Sequence, residues 1–495
     1  MFVNTFWSLV PPIVAIGLAL LTKETYSSLF IGIVVGALLA TDFSPIGALD
    51  TIINDGLTAA IADNAGIFLF LVILGVMVAL VNATGGSAAF GRWAASHIHS
   101  KAGALLATFA LGVLIFIDDY FNCLTVGSVM TPVTDSQRIS RVKLAYLIDA
   151  TAAPICMIAP ISSWAAAVSG VAAKLDTGVS GIQLFIEAIP YNFYSLLTIV
   201  FVITMVVLGV DYGPMAAAEL KAAQTGDLGA LSEEQEEGSS RANMWDMLIP
   251  IILLIIFCVI GLIYVGGFWD PETNAGDFIA AFGDTDAFVG LPWGALIALV
   301  LSIIYLCARR VITFKGAMGC MTKGFNAMVP AILILTFAVS LKSMTGLLGA
   351  ADYVEGLMKQ ASEGLFMLLP AIIFVVACLL AFATGTSWGT FGILIPIVLP
   401  IFNAAPDLQI MGISACLAGA VCGDHCSPIS DTTIMASAGA NCNHIDHVST
   451  QIPYAVTVAA ICFVNYILAA FIRNVVISLA IGVVMVIGTL LVIRS

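Results

Sequence analysis

Charge is what this sequence has least of. Only 10% of its 495 residues are Asp, Glu, Lys or Arg, while 60% are apolar and the mean hydropathy is +1.07. Soluble domains carry about 25% charged residues and roughly 45–50% apolar ones. No water-soluble architecture hides that much apolar surface, so cytosolic enzymes and secreted disulfide scaffolds are excluded together. Basic residues are scarcest: 17 Lys and Arg against 31 Asp and Glu give a net charge of −14, which repels nucleic acid. The 11 cysteines are scattered through apolar stretches and read as small buried hydrophobes, not as a disulfide framework. The N-terminus lacks a basic n-region and a small-residue cleavage site, so no signal peptide is expected. No phosphate-cradling Gly-x4-Gly-Lys-Ser/Thr run occurs, so ATP hydrolysis is not expected, nor any other enzymatic activity.

What remains is an all-α polytopic membrane protein. Backbone in hydrocarbon must satisfy its own hydrogen bonds, and at roughly 20 apolar residues per span there is room for about 11–12 transmembrane helices. The acidic stretch 211–246, with Glu233, Glu234, Glu236 and Glu237, is the one linker of real length and reads as a solvated cytoplasmic tether. It separates a first repeat, 1–210, from a second, 247–472, and 473–495 is an additional C-terminal helix. Lys and Arg are retained in the cytoplasm. Arg309, Arg310, Lys315 and Lys323 therefore mark an inner loop, as do Arg92 with Lys101, and Arg138, Arg141 with Lys143. The base-free acidic loops 42–66 and 266–290 fall outside, which leaves the N-terminus external and the C-terminus internal.

The halves repeat. A shift of 268 positions lays Pro132 on Pro400 and Pro160-Ile161-Ser162 on Pro428-Ile429-Ser430. Under the same shift Asp118-Asp119 meets Thr386-Ser387, and Ser163 meets Asp431. By the orientation count the span 67–82 runs inward and its counterpart 326–345 outward, so the repeats are inverted, as in secondary transporters.

Five carboxylates sit in or beside apolar segments: Asp118, Asp119, Asp149, Asp424 and Asp431. Each costs about 2.5–3.5 kcal/mol at mid-membrane. With no Lys or Arg nearby in sequence, a metal cation or protons must neutralise them. Pro160 and Pro428 interrupt long apolar spans and free backbone carbonyls. Ser162-Ser163 and Ser430-Asp431-Thr432-Thr433 stand beside them, and such hard oxygens suit alkali cations, Mg or Ca. The stretches 102–117 and 120–134 are either two complete spans or the arms of a re-entrant hairpin. Arms of about 22 Å fall short of a hydrocarbon core of about 30 Å and favour the hairpin, with Asp118 and Asp119 at its tip.

Phe116-Ile117-Asp118-Asp119-Tyr120-Phe121-Asn122, the segments Ala153–Cys156 and Ala159–Trp164, Gly423-Asp424-His425-Cys426-Ser427-Pro428-Ile429-Ser430-Asp431-Thr432-Thr433, and Asp446–Ala455 resemble the NhaC family of sodium/proton antiporters, within the ion-transporter superfamily. The resemblance covers most of the chain from about 60 to 470. It implies two inverted repeats, each with a re-entrant hairpin and a broken helix, and a substrate site between tips and breaks. Carried over residue by residue, it assigns sodium ligands to Asp118, Asp119 and Asn122 at one tip and to Thr386 and Ser387 at the other. From the breaks it adds Ser162, Ser163, Asp424, Ser427, Ser430, Asp431 and Thr432.

The expected activity is Na+/H+ antiport by alternating access, Na+ and H+ competing for Asp118, Asp119, Asp424 and Asp431. The other reading is Na+-coupled symport or exchange of a small organic acid or amino acid. His425 and Asp149 are candidate proton carriers, since free imidazole titrates near pH 6.5. His97, His99, His444 and His447 read as residues of cytoplasmic loops. Trp164 and Trp388 either wall a solute pocket or pack as core. Cys422, Cys426, Cys442, His425, His444 and His447 have zinc-ligand chemistry but not the spacing of a ribbon or finger. No organic cofactor is expected. The setting is a bacterial inner membrane, and homologous folds suggest a homodimer by analogy alone.

Overall fold

The computed structural model describes residues 2–22, 25–86, 89, 93, 97–98, 100–116, 119–159, 162, 164–165, 168, 181–231, 241–350, 352–353, 368–401 and 406–494. Asp118, Pro160 and Ser163 lie outside the described residues, as does His99. Among the described residues every regular element is a helix, with one isolated bridge between Ala230 and Cys442.

Among the described residues five helices are long and apolar enough to cross a membrane: Phe193–Thr225, Trp245–Val265, Phe288–Ala308, His444–Ile472 and Val475–Arg494. Two pairs meet at sharp bends, Pro45–Asp63 with Phe68–Thr84 at 54° and Leu408–Cys426 with Asp431–Gly439 at 52°. Shorter apolar helices occupy Phe6–Ala15, Tyr26–Ala40, Lys101–Leu114 and Leu369–Thr384. The protein is a multi-pass helical membrane protein.

Two helical hairpins organise its centre. The first pairs Lys101–Leu114 with Asp119–Ser136, and the second pairs Leu369–Thr384 with Ser387–Ile401. Lys101 and Leu369 open the first arms and Asp119 and Ser387 the second arms, each pair 268 positions apart. The register read from the prolines thus recurs in the helix starts. With 14 residues, the arm Lys101–Leu114 spans about 21 Å, too short to cross alone.

A broken helix follows each hairpin. Arg141–Thr151 stops at Ala152 before the short Ala153–Cys156, and Pro406–Cys426 stops before resuming at Asp431–Gly439. Ser430 caps the resumed helix by accepting the Thr433 N–H at 3.2 Å, and Ser162 likewise accepts from Ala165 at 3.2 Å. A serine cap satisfies one of the orphan amides that a break exposes. The second hairpin turns at Gly385, whose φ of +63° suits glycine, and a Cβ there would lie 2.4 Å from the Ile429 carbonyl oxygen. The second tip is therefore pressed into the second break.

Three expectations change on folding. Arg141 and Lys143 are not loop residues: they begin the helix Arg141–Thr151 and are buried. Arg141 is bidentate to Asp135 at 2.8 and 2.9 Å and donates to the Ala440 carbonyl at 2.7 Å, while Lys143 pairs with Asp211. The linker is not wholly a tether, since Gly213–Thr225 is helical and buries Glu219, which pairs with Lys101 and accepts the Ser140 N–H at 2.8 Å. His444 and His447 leave their expected loop for the buried first turn of His444–Ile472.

Candidate ion and proton site

The first hairpin tip, the second tip and the second break converge on a group of buried acids. Asp119 opens the second arm of the first hairpin, and its Oδ2 accepts the Trp164 indole N–H at 3.0 Å. Tyr120 donates its phenol to Asp431 Oδ2, which bridges the first hairpin to the resumed helix. The next residue, Thr432, donates its Oγ1 hydroxyl to Asp424 Oδ2 at 2.9 Å and lies 3.1 Å from Ser430 Oγ. Asp424 is fully buried, its Oδ1 has no hydrogen-bond partner, and no Lys or Arg pairs with it among the described residues. An unpaired buried acid is expensive unless something positive or a proton joins it.

Several hydroxyls expected as ligands also bond the backbone, which leaves oxygen lone pairs free. Ser162 donates to the Cys156 carbonyl at 2.7 Å, Ser427 to Phe382 at 2.9 Å, and Ser387 to Ala420 at 3.2 Å. Thr386 accepts the Gly389 N–H at 3.2 Å. Asn122 donates to the carbonyls of Gly112, Ile115 and Thr151 at 2.7, 2.9 and 3.1 Å, which ties the first arm's end to the first broken helix, while its Oδ1 stays unpartnered. Trp164 and Trp388 meet edge to face with centroids 6.1 Å apart, and Phe391 lies 5.4 Å from Trp164.

A second polar group lies behind the first. Asp149 Oδ2 accepts from Thr433 Oγ1 at 3.0 Å and from Gln451 Nε2 at 2.7 Å. His447 Nε2 stands 3.4 Å from that oxygen, and His425 Nε2 stands 3.8 Å from Oδ1. Gln451 Nε2 also reaches the His425 carbonyl at 2.8 Å, and the Tyr194 hydroxyl lies 3.1 Å from His425 Nδ1. The structure thus brings together both candidate proton carriers and sets beside them Thr433, read from sequence as a hard-oxygen donor, His447, read as a loop residue, and Gln451 and Tyr194, which were given no role. His447 and Gln451 are four residues apart on one helix and present one face, a spacing that was open to inspection.

The full acid cluster draws on both halves of the chain, as a repeat-built transporter requires. Residues 155–471, more than half of the chain, match the Na+/H+ antiporter family. The chain belongs to that family. The matched span contains Asp424, His425, Asp431, His447 and Gln451, while Asp119 and Asp149 precede it. The antiporter is 37% identical over 486 residues to an uncharacterized protein of Haemophilus influenzae, covering 95% of this chain and 92% of that one. It is 26% identical over 239 residues to the arginine/ornithine antiporter ArcD of Halobacterium salinarum, covering 48% and 44% of the two chains. A third relative is the malate-2H(+)/Na(+)-lactate antiporter of Bacillus subtilis, 26% identical over 198 residues and covering 40% and 42%. The chain spans less than half the length of the last two. Family and relatives make this antiporter a secondary transporter.

Proposed function

We propose that this antiporter exchanges Na+ for H+ by alternating access between two inverted repeats in a bacterial inner membrane. Asp118, Asp119, Asp424 and Asp431 would hold the cation, with Asp149 and His425 close by to carry protons. The carrying observation is Asp424, fully buried with one carboxylate oxygen unpartnered and no basic side chain paired to it. A monovalent cation or a proton neutralises such a group, and hard oxygen donors favour sodium over soft metals. Reconstituted into liposomes, the protein should turn an inward sodium gradient into interior alkalinisation with no organic solute present, because each entering Na+ is exchanged for leaving H+. Alkalinisation that waits for an added organic or amino acid would reject simple Na+/H+ antiport.

The second reading is Na+-coupled transport of a small organic acid or amino acid. It is supported by the Trp164, Trp388 and Phe391 rings clustered beside Asp119, which suit a solute with an apolar part. The names of the two more distant relatives, an amino-acid antiporter and a malate/lactate antiporter, point the same way.

A further inference from the structure

Two adjacent threonines separate the two polar groups. Thr432 gives its hydroxyl to Asp424 at 2.9 Å and Thr433 gives its hydroxyl to Asp149 at 3.0 Å. Both lie in the first turn of Asp431–Gly439, so neither hydroxyl can move far without the other. Thr433 also lies 3.4 Å from the Asp424 carbonyl, and Gln451 ties Asp149 to the His425 carbonyl one residue on. Asp149 is therefore stitched twice to the strand of backbone that carries Asp424.

Behind that stitch stands a buried imidazole set against a carboxylate. His447 is fully buried, yet neither of its ring nitrogens has a hydrogen-bond partner, and Nε2 is at ion-pair distance from Asp149. Buried polar groups are almost always satisfied. Here the 3.4 Å between His447 Nε2 and Asp149 Oδ2 sets ring and carboxylate close enough to hold one proton between them. Facing Asp149 are Tyr146 on its own helix, Asp424, His425 and Cys426 on the broken helix, and His444 with His447 on the long helix. The acids of other neighbouring helices are engaged elsewhere, Asp119 with Trp164 and Glu219 with Lys101.

We infer that the transported proton is held by the Asp149–His447 pair, apart from the cation at Asp424, and that Thr433 couples the two sites. This rests on the Na+/H+ reading above but replaces direct competition for one set of carboxylates. A proton taken from water by the pair adds one positive charge behind the break, and sodium leaving Asp424 removes one in front of it. Thr433 makes the exchange mutual by donating to Asp149 from the turn whose Thr432 orients Asp424. Thr433 is a positioning residue, since it touches neither ion.

Linkage is reciprocal, so protonation of the pair must weaken sodium binding by the factor with which sodium weakens protonation. Radioactive sodium binding to the purified full-length protein, measured from about pH 6 to about pH 9, reads that factor directly. For the unaltered protein apparent sodium affinity should fall about tenfold towards acid, a coupling of the ordinary size. Thr433→Val should flatten this to less than about threefold, with binding kept at alkaline pH. Thr433→Ser should restore the full slope, and His447→Gln should flatten it by removing the imidazole, a second route should the valine variant not fold. A slope unchanged in both Thr433→Val and His447→Gln overturns the coupling while leaving sodium binding intact. Absence of sodium binding by the unaltered protein at every pH overturns the coupling together with the sodium reading.

Discussion

Tyr120 donates to Asp431 across 311 positions of sequence, and this one bond fastens the tip of the first hairpin to the break in the second half. A hydrogen bond to a charged group contributes about 1.5–3 kcal/mol. Tyr120→Phe keeps the ring and removes only the donor. Sodium-driven flux in liposomes should then fall about tenfold or more, each 1.4 kcal/mol being a factor of ten, and the melting temperature should fall with the lost bond. Unaltered flux would make the tyrosine mere packing.

Asp424 and Asp431 are joined through Thr432, whose side chain and backbone serve both acids. Asp424→Asn and Asp431→Asn remove the negative charge and keep the volume. Each should abolish interior alkalinisation driven by sodium, read with a pH-sensitive dye. Sodium-driven flux persisting in both variants removes these residues from the ion site.

Lys143 is buried with Asp211 as its ion partner, and Asp211 also accepts the Tyr454 hydroxyl at 2.7 Å. Removing one member of a buried pair costs about 3–5 kcal/mol, because the other charge is left unpaired. Lys143→Met should therefore lower the melting temperature sharply, and Lys143→Met with Asp211→Asn should recover most of the loss. A double variant no more stable than the single one would show that the pair is not coupled.

Gly127 and Gly439 bring two helices together backbone to backbone, so that a Cβ on Gly127 would lie 2.4 Å from the Gly439 carbonyl. Gly127→Ala should destabilise the folded protein by about 1–3 kcal/mol through overpacking. Thermal unfolding followed in detergent checks this, and an unchanged transition would mean the helices separate readily.

Much of the architecture was legible because hydropathy and repetition act over short windows. The offset of 268 positions found in two prolines recurs in the openings of all four hairpin arms. The acids Asp119, Asp424 and Asp431 could be nominated because apolar neighbours make them costly. His447 could not, because the first turn of its helix, capped by Asn443, has the polar composition of a loop. Its partner Asp149 lies 298 positions away. Lys143 misled for a related reason: basic residues report sidedness, and nothing local reveals that Asp211 will bury the charge. Ser162 and Ser427 also donate their hydroxyls to backbone carbonyls, partners up to 45 positions away that the local sequence does not reveal.

The glycine seam has a mechanical consequence. Where the backbone at Gly127 rides on that at Gly439, no side chain interlocks the two helices. In the proposed exchange, a swing that bares Asp431 to one side of the bilayer would meet no side-chain tooth at that point. The Tyr120 bond to Asp431, about two turns back along the same arm, would then be the latch, one that an arriving cation could release in the proposed exchange.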